Sequence, residues 1–266
     1  MRFVALCTLF VVSSVSASSL VASDASAQAA ASLTAQQVVD KAIDADSWGR
    51  DGVEATARVI VTEKNGQKRE LAFEAKSRRY APPLAKSLLH FTAPADVAGM
   101  KFLLVQKNEG DDERTVYMPE LKRSRRVAAG NRGERFMGTD FTYADMDRKD
   151  IRNGTPVLDP DENIGKYPCY HLKVGTTVAD APYKRVEVWV RKDNLIPLKW
   201  VMFDGANAPM KTLVAKELQR HDGRWQITRS MMTDHKSGRN TEIIIEKVET
   251  KEIPLEAFSL ANLEKP

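Results

Sequence analysis

The sequence predicts a mainly β protein with few helices, folded as one large antiparallel meander of about ten or eleven strands. Three observations lead there. Apolar residues recur with period two over most of the chain. Turn pairs such as Asn65-Gly66, Asp204-Gly205 and Asp222-Gly223 recur at short intervals. Helical periodicity is confined to one segment near the start.

In chain order, Arg2 followed by the apolar run 3–12 and then small residues has the three-part form of a secretory signal peptide. At ten residues the run is too short to span a bilayer. Small-x-small cleavage sites follow Ala17 and Ala27, and the sequence leaves both open. We therefore expect a leader within residues 1–27 and a single exported domain over 28–266, soluble after cleavage. Cys7 lies inside the apolar run and Cys169 alone survives, so no intrachain disulfide supports the fold. Removal of Arg2 and Asp24 leaves the formal charge at +4.

Thr34 and Gln37 form a capping-box pattern, predicting a helix to about residue 46 with Val38, Val39, Ala42 and Ile43 on one stripe. From Val53 the period changes to two: Val53, Ala55, Ala57, Val59 and Val61 alternate with mostly polar residues, and Asn65-Gly66 turns the chain back towards Leu71, Phe73 and Ala75. Further strands are expected at 88–91, 101–106, 115–118, 170–174, 185–190, 196–203, 211–218, 225–232 and 241–248. Asp159-Pro160-Asp161 reads as a turn.

Several strands are apolar on both faces. Ile243 and Ile245 oppose Ile244 and Val248; Val186, Val188 and Val190 oppose Trp189. A soluble sheet needs one core face, so the second is either roofed or kept for a ligand. Eight of the nine methionines lie beyond the leader, and flexible thioethers suit both gap-filling and a pocket for variable chains.

The segment 114–143 stands apart. Between Leu121 and Arg135 six cations (Lys122, Arg123, Arg125, Arg126, Arg132, Arg135) face one anion, Glu134. The aromatic stretch from Phe136 to Tyr143 follows directly. Positive charge beside apolar rings points to an anionic amphiphile as ligand. The same cations also suit the edge of a sheet, where charge discourages pairing with another chain.

Chemistry beyond binding finds little support. Cys169 and His171 share one strand face, yet residues two apart stand about 6–7 Å apart, beyond hydrogen-bond reach. His90, His171, His221 and His235 lack metal-ligand spacing. Asp159 opens a calcium-like run, but Ile164 and Tyr170 stand where such a loop needs glycine and glutamate. Gly130, Gly133 and Gly138 have no phosphate-loop spacing and read as loop flexibility. We expect no enzyme, cofactor or metal, and no nucleic-acid partner.

The order Tyr117-Met118-Pro119, then Leu121 to Val127, then Phe136 to Asp145 resembles the LolA-like outer-membrane lipoprotein-sorting protein family. Weaker matches are Val188-Trp189-Val190 with Ile196-Pro197-Leu198-Lys199, and Ile253-Pro254 with Phe258. The resemblance implies a curved, incomplete antiparallel β-barrel, closed by helices and loops around an apolar interior that receives lipid acyl chains in the periplasm. It implies a carrier, or chaperone, of lipoproteins or other lipids towards the outer membrane, served by an inner-membrane transporter and an outer-membrane acceptor, with transient membrane contact. Relatives include a lipid-sensing regulator, which is the alternative. On this basis the expected cavity wall is Leu88, Phe91, Phe102, Val116, Met118, Trp189, Trp200 and Met231, with Phe136, Met137, Phe141 and Tyr143 at a movable rim. Lys122, Arg123, Arg125 and Arg126 are the expected docking patch for a partner or for headgroups. Each wall residue also fits ordinary sheet packing.

Overall fold

A computed structural model describes residues 33–45, 52–147, 149–178 and 180–265. The leader and both cleavage sites lie outside the described residues. Helix α1 (Ala35–Ala45) opens with the expected box: Gln37 N–H donates to Thr34 Oγ1 at 3.2 Å, and Thr34 N–H donates to Gln37 Oε1 at 2.9 Å. Its Val38, Val39 and Ala42 are buried.

Then come β1 (Val53–Thr62), β2 (Lys68–Ala81), β3 (Leu84–Ala93), β4 (Lys101–Val105), β5 (Glu113–Met118) and β6 (Arg123–Arg126). A connection carrying the short helices α2 (Tyr143–Asp147) and α3 (Lys149–Arg152) leads to β7 (Thr155–Ile164). Strands β8 (Tyr167–Gly175), β9 (Arg185–Arg191), β10 (Pro197–Phe203), β11 (Pro209–His221), β12 (Arg224–Asp234) and β13 (Arg239–Thr250) follow, and the one-turn helix α4 (Leu260–Leu263) ends the order. All thirteen strands form one antiparallel sheet in the order β6-β5-β4-β3-β2-β1-β13-β12-β11-β10-β9-β8-β7. The meander is joined in its middle by β1 against β13, and the sheet ends at β6 and β7 without closing, as an incomplete barrel.

The eleven strands expected from periodicity are present, and the two missed are the two edges. β6 is the basic run, so its cations lie on an edge strand. β7 contains the Asp159-Pro160-Asp161 run expected as a turn. It pairs with β8 through a bulge between Asp159 and Glu162, and its Pro156 and Pro160 carry no N–H for an outer partner. An edge strand needs one neighbour only, so charge and proline are tolerated there and the alternating pattern fades.

Period two sorts the side chains onto two faces. The inner face carries the main core, including Val59, Phe73, Phe91, Phe102, Val188, Met202 and Met232. On the outer face Leu88, Leu103 and Tyr117 are covered by Ile253, Phe258 and Leu263 of the C-terminal segment. Cys169, Trp189, Leu198 and Val201 form a second outer cluster. The two-faced strands are thus explained in part by outer packing.

Candidate ligand-binding cavity

The 30-residue stretch from Arg123 to Arg152 decides how the inner face is closed. Met137 and Gly138 both adopt left-handed backbone, at φ 49° and 76°. A side chain is strained there, and a Cβ on Gly138 would sit 3.2 Å from Arg69 Nη1, so the glycine makes a tight turn possible where the sequence suggested mere flexibility. The turn is closed by Phe136 N–H to Phe141 O at 2.8 Å and by Thr139 Oγ1–H to Phe136 O at 2.7 Å. It drives Phe136 among Phe91, Phe102 and Tyr143, with ring centroids 4.9–5.9 Å apart.

Anchors from four strands hold the turn. Arg69 Nη1 donates to Met137 O, Arg239 Nη2 to Gly138 O and Lys211 Nζ to Asp140 O, while Thr241 Oγ1 both donates to Asp140 Oδ2 and accepts its N–H. Arg135 pairs with Asp234 at 3.0 Å. Phe136 and Phe141 are 5% and 6% exposed. The residues expected at a movable rim therefore form an anchored wall. A rim needs side chains that lose little on leaving, and these rings are packed on several sides.

A second capping box starts α2. Thr142 N–H and Oγ1–H donate to Asp145 Oδ2 at 2.7 and 2.8 Å, and Tyr183 O–H donates to the same oxygen at 3.1 Å. Burial pushes the Asp145 carboxyl above its ordinary value, against the opposing pull of Lys211 Nζ at 4.0 Å. Burial likewise raises the hydroxyls of Tyr183 and Tyr143. Nearby, Arg132 is fully buried and bonds Asp150 at 2.9 Å and Asp180 at 3.1 Å. Arg152 and Lys149 of α3 reach Asp112 and Asp111 in the β4–β5 loop at 3.2 and 2.8 Å. The connection thereby ties both halves of the open sheet together.

Between this wall, α1 and the inner face lies a cavity of about 310 Å³. Leu89, Phe102, Phe141, Trp200, Met202, Leu213, Met232, Ile243 and Ile245 border it, with Ile43 of α1 and Ile151 of α3. Several of these are only half-buried, namely Leu89, Trp200, Leu213, Ile243 and Ile245, so apolar surface is left unpacked inside the sheet. The size falls in the range of small-molecule sites, about 300–1,000 Å³.

The expected wall residues separate into three groups. Phe102, Phe141 and Trp200 border the cavity. Phe91, Val116, Met118, Phe136, Met137 and Tyr143 lie on the same side, packed in or against the core. Leu88, Trp189 and Met231 do not belong to the wall: each is one residue out of phase, the inner positions being Leu89, Val188 and Met232. Trp189 instead stacks on His171 at 4.4 Å and donates to Glu162 at 2.9 Å. For Leu88-Leu89 and Met231-Met232 both neighbours are apolar, so period two alone could not choose between them. Lys122, Arg123, Arg125 and Arg126 are exposed on β6 and its approach, beside Leu121, which is 53% exposed. Arg132 and Arg135, from the same basic run, are spent on internal pairs.

Cys169 is buried, and burial raises its thiol above the ordinary value. Among the described residues no group of three or more His, Cys, Asp or Glu could hold a metal ion. Also among the described residues, no helix is long and apolar enough to cross a membrane.

Residues 84–265 match the model of a protein family described as "Uncharacterized protein". No curated protein matches the chain. Three solved structures share its fold. A domain from Vibrio parahaemolyticus described as an outer membrane lipoprotein-sorting protein is 25% identical, covers 87% of this chain and 98% of its own, and has a TM-score of 0.81. A DUF1329 family protein from Desulfovibrio piger ATCC 29098 is 24% identical over 87% of this chain and 100% of its own, at 0.79. A LolA superfamily protein from Nitrosomonas europaea is 19% identical over 86% and 98%, at 0.69.

Proposed function

The chain belongs to the family whose model spans its residues 84–265, its fold is LolA-like, and from these premises we propose that it is a periplasmic carrier of acyl chains. Its cargo is the lipid part of lipoproteins or another lipid, moved towards the outer membrane after residues 1–27 direct export. The observation that carries this reading is the half-buried apolar lining of the 310 Å³ cavity. An acyl chain in water is unfavourable by about 0.8 kcal/mol per methylene, and a lining of similar polarity recovers part of that without any energy source. Release then requires an acceptor of higher affinity. An inner-membrane transporter as donor and an outer-membrane acceptor complete the route. Lys122, Arg123, Arg125 and Arg126 are the docking patch for one of them or for headgroups.

Transfer between vesicles tests the reading. Purified protein should move a labelled acylated peptide from donor to acceptor liposomes at a rate proportional to protein added. Binding without transfer would instead favour a lipid-sensing regulator, and absence of binding would end both readings.

A further inference from the structure

Four cations border the cavity: Lys76, Arg79, Arg152 and Arg229. Their counter-charges differ in kind. Lys76 is held by Glu54, a residue of β1 at 3.1 Å, and Arg229 by Glu242 of β13 at 2.7 Å. Arg152 pairs with Asp112, whose side chain is fully buried, so releasing that carboxylate would strand a charge. Arg79 alone among these pairs with a carboxylate outside the sheet and its loops: Asp44, in the last turn of α1, at 2.6 Å. Asp44 is 58% exposed while Arg79 is only 14% exposed. An anion at a helix C-terminus also opposes the helix dipole. An incoming anion can therefore compete with the exposed Asp44 carboxylate for the more deeply buried Arg79 guanidinium.

The approach to Arg79 is graded. Phe73, Ala75, Ser77 and Arg79 all border the cavity from alternate positions of β2. Next to them on β3 stand Leu89 opposite Ala75, Ser87 opposite Ser77 and Ala85 opposite Arg79. The Ser77 and Ser87 hydroxyls hydrogen-bond each other at 2.7 Å. The strand from Phe73 to Arg79 extends about 20 Å, passing from aromatic and aliphatic groups through hydroxyls to a guanidinium.

We propose that Arg79 seats the anionic headgroup of an amphiphile whose acyl chain lies along β2 towards Phe73 and Phe102. The inference rests on the carrier reading and adds the class of cargo: carboxylate or phosphate heads in preference to neutral ones. A guanidinium offers a fixed fork of donors to such a group.

Displacement of a neutral naphthylamine dye by hexadecanoate or by hexadecanol, at about pH 8 where the carboxylate is ionised, tests it. Wild-type protein should bind hexadecanoate about tenfold more tightly than the alcohol. Arg79→Gln should abolish that preference, whereas Asp44→Asn should increase it. Equal affinities in the wild type, or a preference that persists in Arg79→Gln, overturn the headgroup seat while the carrier reading stands. Failure of both ligands to displace the dye overturns the carrier reading and this inference together.

Discussion

The aromatic lock around Phe136 and the half-open wall of β10 to β13 are built from the same residue classes and have opposite roles. In the lock, Phe136 meets Phe91, Phe102 and Tyr143, and the backbone behind it is bonded to three strands, β2, β11 and β13. Along the wall, Trp200, Leu213, Ile243 and Ile245 face the cavity and remain half-buried. The difference is what lies opposite. A tight turn fills the space before the first group, and among the described residues nothing fills it before the second. Apolar surface that the fold does not use for itself is available for a ligand.

The largest expected effect sharpens this contrast from the packed side. Phe136→Ala should lower unfolding free energy by about 3–5 kcal/mol in urea titrations; a loss under about 1 kcal/mol would mean the lock is not core. From the open side, Ile245→Asp should cost clearly less stability than Phe136→Ala, since its side chain is only half-buried, yet weaken dye binding at least about tenfold. Equal losses of stability in the two variants would erase the distinction. Phe141→Asp is a poorer probe than the sequence suggests, because Phe141 is 6% exposed and the new carboxylate would unfold the wall as well.

Asp145 sits where the two regions meet. Burial raises its folded-state pKa above the ordinary 3.8, so the folded chain holds the proton more tightly than the unfolded one. The associated stability is complete below about pH 4 and is lost as pH rises through the raised value. The unfolding free energy of wild type minus Asp145→Asn should therefore fall with rising pH; a flat or rising difference contradicts the burial. The smallest effect on stability belongs to the basic edge. Glutamate at positions 123, 125 and 126 should shift it by less than about 0.5 kcal/mol while abolishing salt-sensitive association with membranes or partners. Association that survives the reversal removes the docking role.

Much of the fold was legible because interior strands must alternate, and eleven of them did. β6 and β7 were not read as strands because an edge strand has one partner and accepts Arg, Asp and Pro freely. The short helices α2 and α3 lack the length for periodicity, although Thr142 and Asp145 have capping-box spacing. In the cavity, Phe102, Phe141 and Trp200 were reachable from composition and order. Leu89 and Met232 were not, since each stands beside another apolar residue and a shift of one reverses the face. Arg79 carried no local signal. Its position depends on α1 meeting β2 across a gap of 35 residues.

Native mass spectrometry of protein purified from cells, beside its Ile245→Asp variant, is the decisive check on the cavity. Wild-type protein should carry one added mass of an acylated species, and the variant should appear at its bare mass. Wild type at bare mass, with the added hexadecanoate also failing to bind, would contradict the carrier reading.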